Sequence, residues 1–193
     1  MDRQQWNERY AAQPILWDVD PDPFLGAELA GARPGRALDL GAGEGRTALW
    51  LAQRGWDVTA VDFSDVALDR GRRRVEEAGA TGTVDWICAD LTTLDPPAGP
   101  FDLVLVLFVH LPADDRRRLL RQAAAALAPG GIVLVVGYDS THATEGEGGP
   151  RDPLILFSPD DIVADLDGLE IERAERLRVG DAVDAVVRAR RSE

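Results

Sequence analysis

Apolar positions along the chain fall into two alternating rhythms. Arg36-Ala37-Leu38-Asp39-Leu40 and Asp57-Val58-Thr59-Ala60-Val61 read as short strands, with helical stretches from Thr47 to Arg54 and from Ser64 to Ala78, a βαβα pattern. Ser64 suits the N-cap of the second helix and Gly79 its stop. A third strand is predicted from Thr83 to Cys88. Phe101 to Phe108 and Gly131 to Gly137 are continuous apolar runs rich in β-branched residues, as expected of strands covered on both faces of a parallel sheet. A helix between them should start near Pro112 and end at the Ala128-Pro129-Gly130-Gly131 breaker. Further on, Leu169 to Arg173 and Ala182 to Arg188 alternate about Gly180-Asp181, which predicts an antiparallel hairpin. Ser158-Pro159-Asp160-Asp161 should cap a short helix running to about Asp167. Residues 139–157 lack periodicity and are too long for a plain connector, so a substrate loop is expected there. Residues 1–30 read as a helical cap anchored by Trp6, Tyr10 and Trp17. With no internal repeat and evenly spread Gly and Pro, residues 1–193 are expected to form a single domain.

Composition narrows the chemistry. The 34 acids against 21 bases leave a net charge of −13, with a pI near 4.5. Such a surface repels polyanions, so neither a nucleic acid nor a membrane partner is expected. Every base is arginine and none is lysine, which removes Schiff-base catalysis and the P-loop lysine. A single cysteine, Cys88, forms no internal disulfide, and with only His110 and His142 beside it no zinc site is expected. The polar start of the chain and the absence of an apolar run near ~18 residues predict a cytoplasmic protein. The arginine runs at 70–74 and 116–118 lie beside Glu76, Glu77, Asp114 and Asp115, and read as solvated helix faces with i,i+4 pairs.

The most informative segment is Asp39-Leu40-Gly41-Ala42-Gly43-Glu44-Gly45-Arg46, where a buried strand gives way to a helix. Glycines there let the backbone approach a ligand lying over the carboxyl ends of the strands. The dinucleotide fingerprint G-x-G-x-x-G needs a third glycine at position 46, which is arginine. The pattern is D-x-G-x-G-x-G instead. Asp39 repels a pyrophosphate and attracts an ammonium or sulfonium cation, which favours S-adenosyl-L-methionine over NAD. Asp62 stands about 20 residues beyond the glycines, where a ribose diol is met. Phe63 is placed to lie against a purine, while Asp90 and the backbone of Leu91 are placed for an adenine edge, with a turn cap as the equal alternative for Asp90.

These segments resemble class I S-adenosylmethionine-dependent methyltransferases over nearly the whole chain. Asp39 to Gly45 is similar to their first motif, Val61-Asp62-Phe63-Ser64 to their second, Asp90-Leu91 to their adenine site, and Leu127 to Gly131 to the turn before their fifth strand. Within the class, Trp6-Asn7-Glu8-Arg9-Tyr10, Gly43-Glu44-Gly45-Arg46 and Ala60 to Ser64 resemble the small tellurite-resistance and thiopurine methyltransferase-like branch, in which position 42 is often cysteine. The resemblance implies an α/β fold, a doubly wound Rossmann-like seven-stranded sheet of order 3-2-1-4-5-7-6 with the last strand antiparallel and helices on both faces.

Methyl transfer from a sulfonium is an in-line displacement, so alignment can supply most of the catalysis and no triad is needed. His110, after the fourth strand, is the candidate polar group near the reacting methyl. Tyr138, Asp139 and His142 open the predicted loop and are further candidates to face a substrate. Arg9 or Arg46 can pair with the donor carboxylate, and Trp6 and Trp17 can close over donor or substrate. The expected partner is a small-molecule acceptor, in a monomer or homodimer. Two rivals stand beside it: a donor-binding sensor without catalysis and a nicotinamide-dependent reductase, the latter opposed by Arg46 and Asp39.

Overall fold

The computed structural model describes residues 1–13, 23–95, 97 and 99–193. The chain divides into two compact units, Met1–Leu94 and Asp95–Glu193.

In the first unit, β1 (Arg36–Leu40), β2 (Asp57–Asp62) and β3 (Val84–Cys88) pair in parallel, with Leu40 opposite Val61 and Asp62 opposite Cys88. Around them lie α1 (Arg3–Ala12), α2 (Pro23–Glu28), α3 (Arg46–Ala52) and α4 (Asp65–Ala78). Ala37, Leu38, Leu40, Ala60 and Val61 are closed off from solvent, so these strands are covered on both faces. Helix α4 starts and stops where its sequence signals stand: Ser64 Oγ accepts from Ala67 N, and Gly79 takes a left-handed φ of 58°.

Trp86 of β3 sets the packing of α3 and α4. A Cβ on Gly45 would lie 2.4 Å from its ring, and one on Gly71 2.5 Å. The last glycine of the turn therefore makes room for an indole, quite apart from any ligand.

The second unit holds β4 (Phe101–Leu107), α5 (Ala113–Ala126), β5 (Leu127–Tyr138), α6 (His142–Glu145), α7 (Pro159–Asp165), β6 (Glu170–Val179) and β7 (Ala182–Arg190). β4 and β5 pair in parallel, and β7 runs antiparallel to both β5 and β6. Strand order is β3-β2-β1-β4-β5-β7-β6, as the resemblance implies. The edge strand β6 carries Glu170, Glu172, Arg173, Glu175, Arg176 and Arg178, charges that discourage pairing with another chain.

Three details differ from expectation. The Ala128 to Gly131 breaker ends α5 but belongs to β5, because Gly130 N donates to Arg191 O and Arg191 N to Gly131 O, giving the segment strand partners. The arginine runs find tertiary partners as well as local ones. Arg116 is buried and bonds Asp165 at 2.8 Å, Arg117 shares that carboxylate, and Arg70 bonds Glu44 at 2.9 Å. The local pairs, Arg72 with Asp69 and Arg117 with Asp114, are spaced i,i+3. Residues 139–157, predicted as a loop, are tied down through Asp139 N to Val183 O, Ser140 N to Phe157 O and Glu147 N to Asp181 O. Among the described residues no helix is long and apolar enough to cross a membrane.

Candidate active site

The glycine turn between β1 and α3 is fixed by backbone geometry that non-glycine residues adopt only with strain. Gly41, Gly43 and Gly45 have φ of 87°, 52° and 71°. Gly41 N and Ala42 N both donate to Val61 O, which binds the turn to the end of β2. Asp62 closes the arrangement. Its Oδ2 accepts from Gly43 N and its Oδ1 from Ser64 N, both at 2.8 Å. Burial pushes its carboxyl up from the ordinary range, and these N–H groups with that of Phe63 pull it back.

Asp39 ends up beside this clamp as a second buried carboxylate, 2% exposed, and its Oδ2 has no hydrogen-bond partner. Its pKa is pushed up to about 7, chiefly by burial and then by the charge of Asp62, with Arg46 acting in the opposite sense. A buried acceptor left unpaired is costly, and here a second acid adds to the negative potential. A cationic ligand relieves both penalties, whereas a pyrophosphate adds to them. The donor set thus fits an amino-acid nucleoside bearing an ammonium and a sulfonium.

Helix α1 is fastened over the same region of the first unit. Asn7 Nδ2 donates to Asp65 Oδ1 at 2.7 Å, Ser64 Oγ donates to Asn7 Oδ1 at 2.6 Å, and Arg3 pairs with Asp65. Tyr10 is buried, with its Oη only 3.0 Å from where a Cβ on Gly43 would stand. Its ring centroid lies 5.6 Å from that of Trp6, and the exposed Arg9 guanidinium sits 5.2 Å over Trp6. Arg46 and Phe63 are half-buried. Leu91 is buried, and the exposed Asp90 closes its own turn by accepting from Thr92 N and Oγ1. Trp17 lies outside the described residues. Glu44, the acid inside the turn, is buried and pairs with Arg70.

The second unit carries its own cluster at the carboxyl ends of β4 and β5. His110 is stacked between Tyr138, 5.3 Å away at 21°, and Phe157, 5.7 Å away at 24°. Phe108 meets Tyr138 edge-on at 5.3 Å, and the His142 ring lies 4.3 Å from that of Tyr138, tilted by 36°. Gly137 makes the stack possible, since a Cβ there would lie 2.5 Å from Phe157. His110 Nδ1 faces Ile155 O at 3.3 Å, and Nε2 accepts from Tyr138 N at 3.5 Å. Burial pushes its pKa down to about 4, so the ring is neutral at pH 7. His142 is fully buried. Its Nδ1 accepts from Val183 N, which leaves Nε2–H to donate to Gly148 O. Asp139, also fully buried, accepts from Thr141 N and Oγ1 and from Arg176 Nε at 2.7 Å. Both residues therefore anchor the segment that follows β5, while Tyr138 stays half-exposed. Phe108 and Phe157 were not singled out from sequence, because a phenylalanine at a strand end reads as ordinary core. Among the described residues no group of three or more His, Cys, Asp or Glu could hold a metal.

Residues 37–131 match the family described as Methyltransferase domain. The tRNA 5-carboxymethoxyuridine methyltransferase of Escherichia coli (strain K12) is 35% identical over 129 residues, covering 66% of this chain and 48% of that protein. The chain spans about half the length of the curated relatives it matches. Two solved structures share the fold at lower identity. The N-methyltransferase NodS from Bradyrhizobium japonicum WM9, in complex with S-adenosyl-L-homocysteine, superposes with a TM-score of 0.78 at 20% identity, covering 99% of this chain and 98% of its own. TehB from Haemophilus influenzae gives 0.73 at 18% identity, covering 98% and 67%. The matched methyltransferase domain, the strand order and the acid-and-glycine turn make this chain similar in sequence and fold to the class I S-adenosylmethionine-dependent methyltransferases.

Proposed function

We propose that the chain transfers a methyl group from S-adenosylmethionine to a small-molecule acceptor, and that residues 1–193 work as one methyltransferase domain. The supporting observation is the buried, unpartnered Oδ2 of Asp39 beside three left-handed glycines. When bound, S-adenosylmethionine supplies a methyl group on a positively charged sulfur, open to in-line displacement.

The chain's own residues then bind and orient. Asp39 holds the α-ammonium, and Arg46 or Arg9 the carboxylate. Gly41, Ala42, Gly43 and Gly45 give the backbone its close approach. Asp62 takes the ribose hydroxyls on the lone pairs that Gly43 N and Ser64 N leave free. Phe63 and Leu91 flank the adenine, and Asp90 accepts from its exocyclic amine. Trp6 belongs to the cover.

Acceptor recognition falls to the second unit, with His110 and Tyr138 lining it and Asp139 and His142 holding the segment in place. A neutral His110 with a pKa near 4 is a weak base, so it orients the acceptor rather than strongly activating it. The charge of −13 and the absence of lysine favour a small acceptor over the tRNA used by the Escherichia coli relative. The motifs from Trp6 to Tyr10 and from Ala60 to Ser64 support a place in the tellurite-resistance and thiopurine methyltransferase-like branch, and TehB shares the fold.

The test is S-adenosylhomocysteine release, followed by mass spectrometry, with thiols, phenols, amines, chalcogen oxyanions and tRNA offered in turn. Turnover with one or more small acceptors and none with tRNA is expected. Turnover on tRNA alone would overturn the acceptor class, and donor binding without any turnover would favour a sensor. A single unfolding transition, raised by S-adenosylhomocysteine, is expected of one domain; two separate transitions would contradict it.

A further inference from the structure

We infer that Phe108 is a specificity-determining residue, held in a strained backbone conformation so that its ring helps receive a neutral, flat aromatic acceptor. That it acts on an acceptor rests on the methyl-transfer reading above.

Among the described residues Phe108 is the one non-glycine with a positive φ, 56°. A bulky side chain seldom occupies that region, and where the surrounding structure enforces it, function is the usual beneficiary. The enforcement is visible. Phe108 N donates to Val136 O at 2.7 Å, one residue beyond the end of β4. In open α/β sheets this carboxyl end is where ligands bind. The strand's interior positions Leu103, Val104 and Leu105 are wholly buried, whereas residues 107–111 are all partly exposed. The chain therefore turns an apolar stretch outward at the point where the backbone is strained, and glycine would fill the same position without strain.

The surroundings choose the ligand's chemistry. Phe108 sits edge-on to Tyr138, itself half-exposed and stacked on His110. Ile155 is part-exposed and Leu154 is 74% exposed. Two cations beside the cluster are tied up: Arg116, 5.7 Å over Phe157, bonds Asp165, and Arg176 bonds Asp139. His110 turns Nδ1 to Ile155 O and Nε2 to Tyr138 N. Neither of these two cations is left for a small oxyanion, while a neutral aromatic ring can meet the part-exposed edges and faces of Phe108 and Tyr138.

The test uses 1-naphthol as the flat neutral probe and selenite as the oxyanion, with binding followed by saturation-transfer NMR on the full chain. Phe108→Gly is expected to keep or raise Tm, because glycine relieves the left-handed strain, and to weaken 1-naphthol binding at least tenfold. Phe108→Leu, which keeps the bulk but loses the ring, should weaken the probe similarly. S-adenosylhomocysteine affinity should stay within twofold in both. Wild-type affinity for 1-naphthol retained in both variants, or selenite bound in preference to it, would overturn the inference while leaving methyl transfer intact. Should the wild type bind 1-naphthol in a Phe108-dependent way but fail to bind S-adenosylhomocysteine, the methyl-transfer reading falls and the aromatic site stands.

Discussion

Burial moves two groups in opposite directions, Asp39 up to about 7 and His110 down to about 4. For Asp39 the folded state holds a proton that the unfolded chain has lost, so its contribution to stability is full below 3.8 and disappears as pH rises through 7. His110 runs the other way, because the unfolded ring is protonated below 6.5 while the folded ring stays neutral. Its contribution is present above 6.5 and is lost as pH falls towards 4. The two slopes oppose between pH 4 and 6.5, each limited to about 1.4 kcal/mol per pH unit. Asp39→Asn should therefore expose the His110 slope: urea midpoints of this variant rise with pH over that window more steeply than those of the wild type. Parallel profiles would show that Asp39 is not protonated in the folded state. Asp62 adds a different prediction, since it satisfies two backbone N–H groups as well as being the proposed ribose partner. Asp62→Ala leaves Gly43 N and Ser64 N unpaired and should lose about 2–4 kcal/mol of stability along with donor affinity. Unchanged unfolding in urea would remove Asp62 from the clamp.

At the scale of elements, β1, β2, α4 and the β6–β7 hairpin were legible because local signals agree: short, mostly apolar runs, a serine cap with a glycine stop, and a two-residue Gly180-Asp181 turn. What depends on distant partners was not legible. The partner of Arg116 lies 49 residues away on α7, and the strand character of Ala128 to Gly131 depends on Arg191. The left-handed φ of Phe108 leaves no trace in a phenylalanine codon, and residues 139–157 lack periodicity because their order comes from tertiary hydrogen bonds. The candidate site divides in the same way. Asp39, the glycines and Asp62 were legible from spacing, whereas the Phe157 and Gly137 parts of the aromatic stack were not. Packing between α4 and β3 offers a direct check, because Gly71 lies within α4 and the Trp86 ring crowds it most, 2.5 Å from a Cβ there, with the Glu44 backbone next at 3.3 Å. Gly71→Ala should cost about 1–3 kcal/mol through overpacking, and Trp86→Leu in the same chain should recover most of it. A double variant no more stable than the additive sum would exclude the clash.

For the whole molecule, a charge of −13 carried with arginine as its only strong base describes a surface that repels polyanions and a fold with a locally negative niche at the end of β1. Recognition of a cationic nucleoside by that niche is the central claim, and it couples binding to the protonation of Asp39. The α-amino group of the donor remains largely charged at pH 7, so the change in affinity near neutrality belongs mainly to the protein. The most direct measurement is titration calorimetry of S-adenosylmethionine into wild type and Asp39→Asn at pH 6 and 7. Wild type should bind one equivalent, more tightly at pH 7 because the ionised carboxylate is the binding form. Asp39→Asn should bind at least tenfold more weakly at pH 7 and lose most of the pH dependence, and NAD should give no heat with either protein. Equal affinity in the two proteins, or saturable binding of NAD, would contradict it.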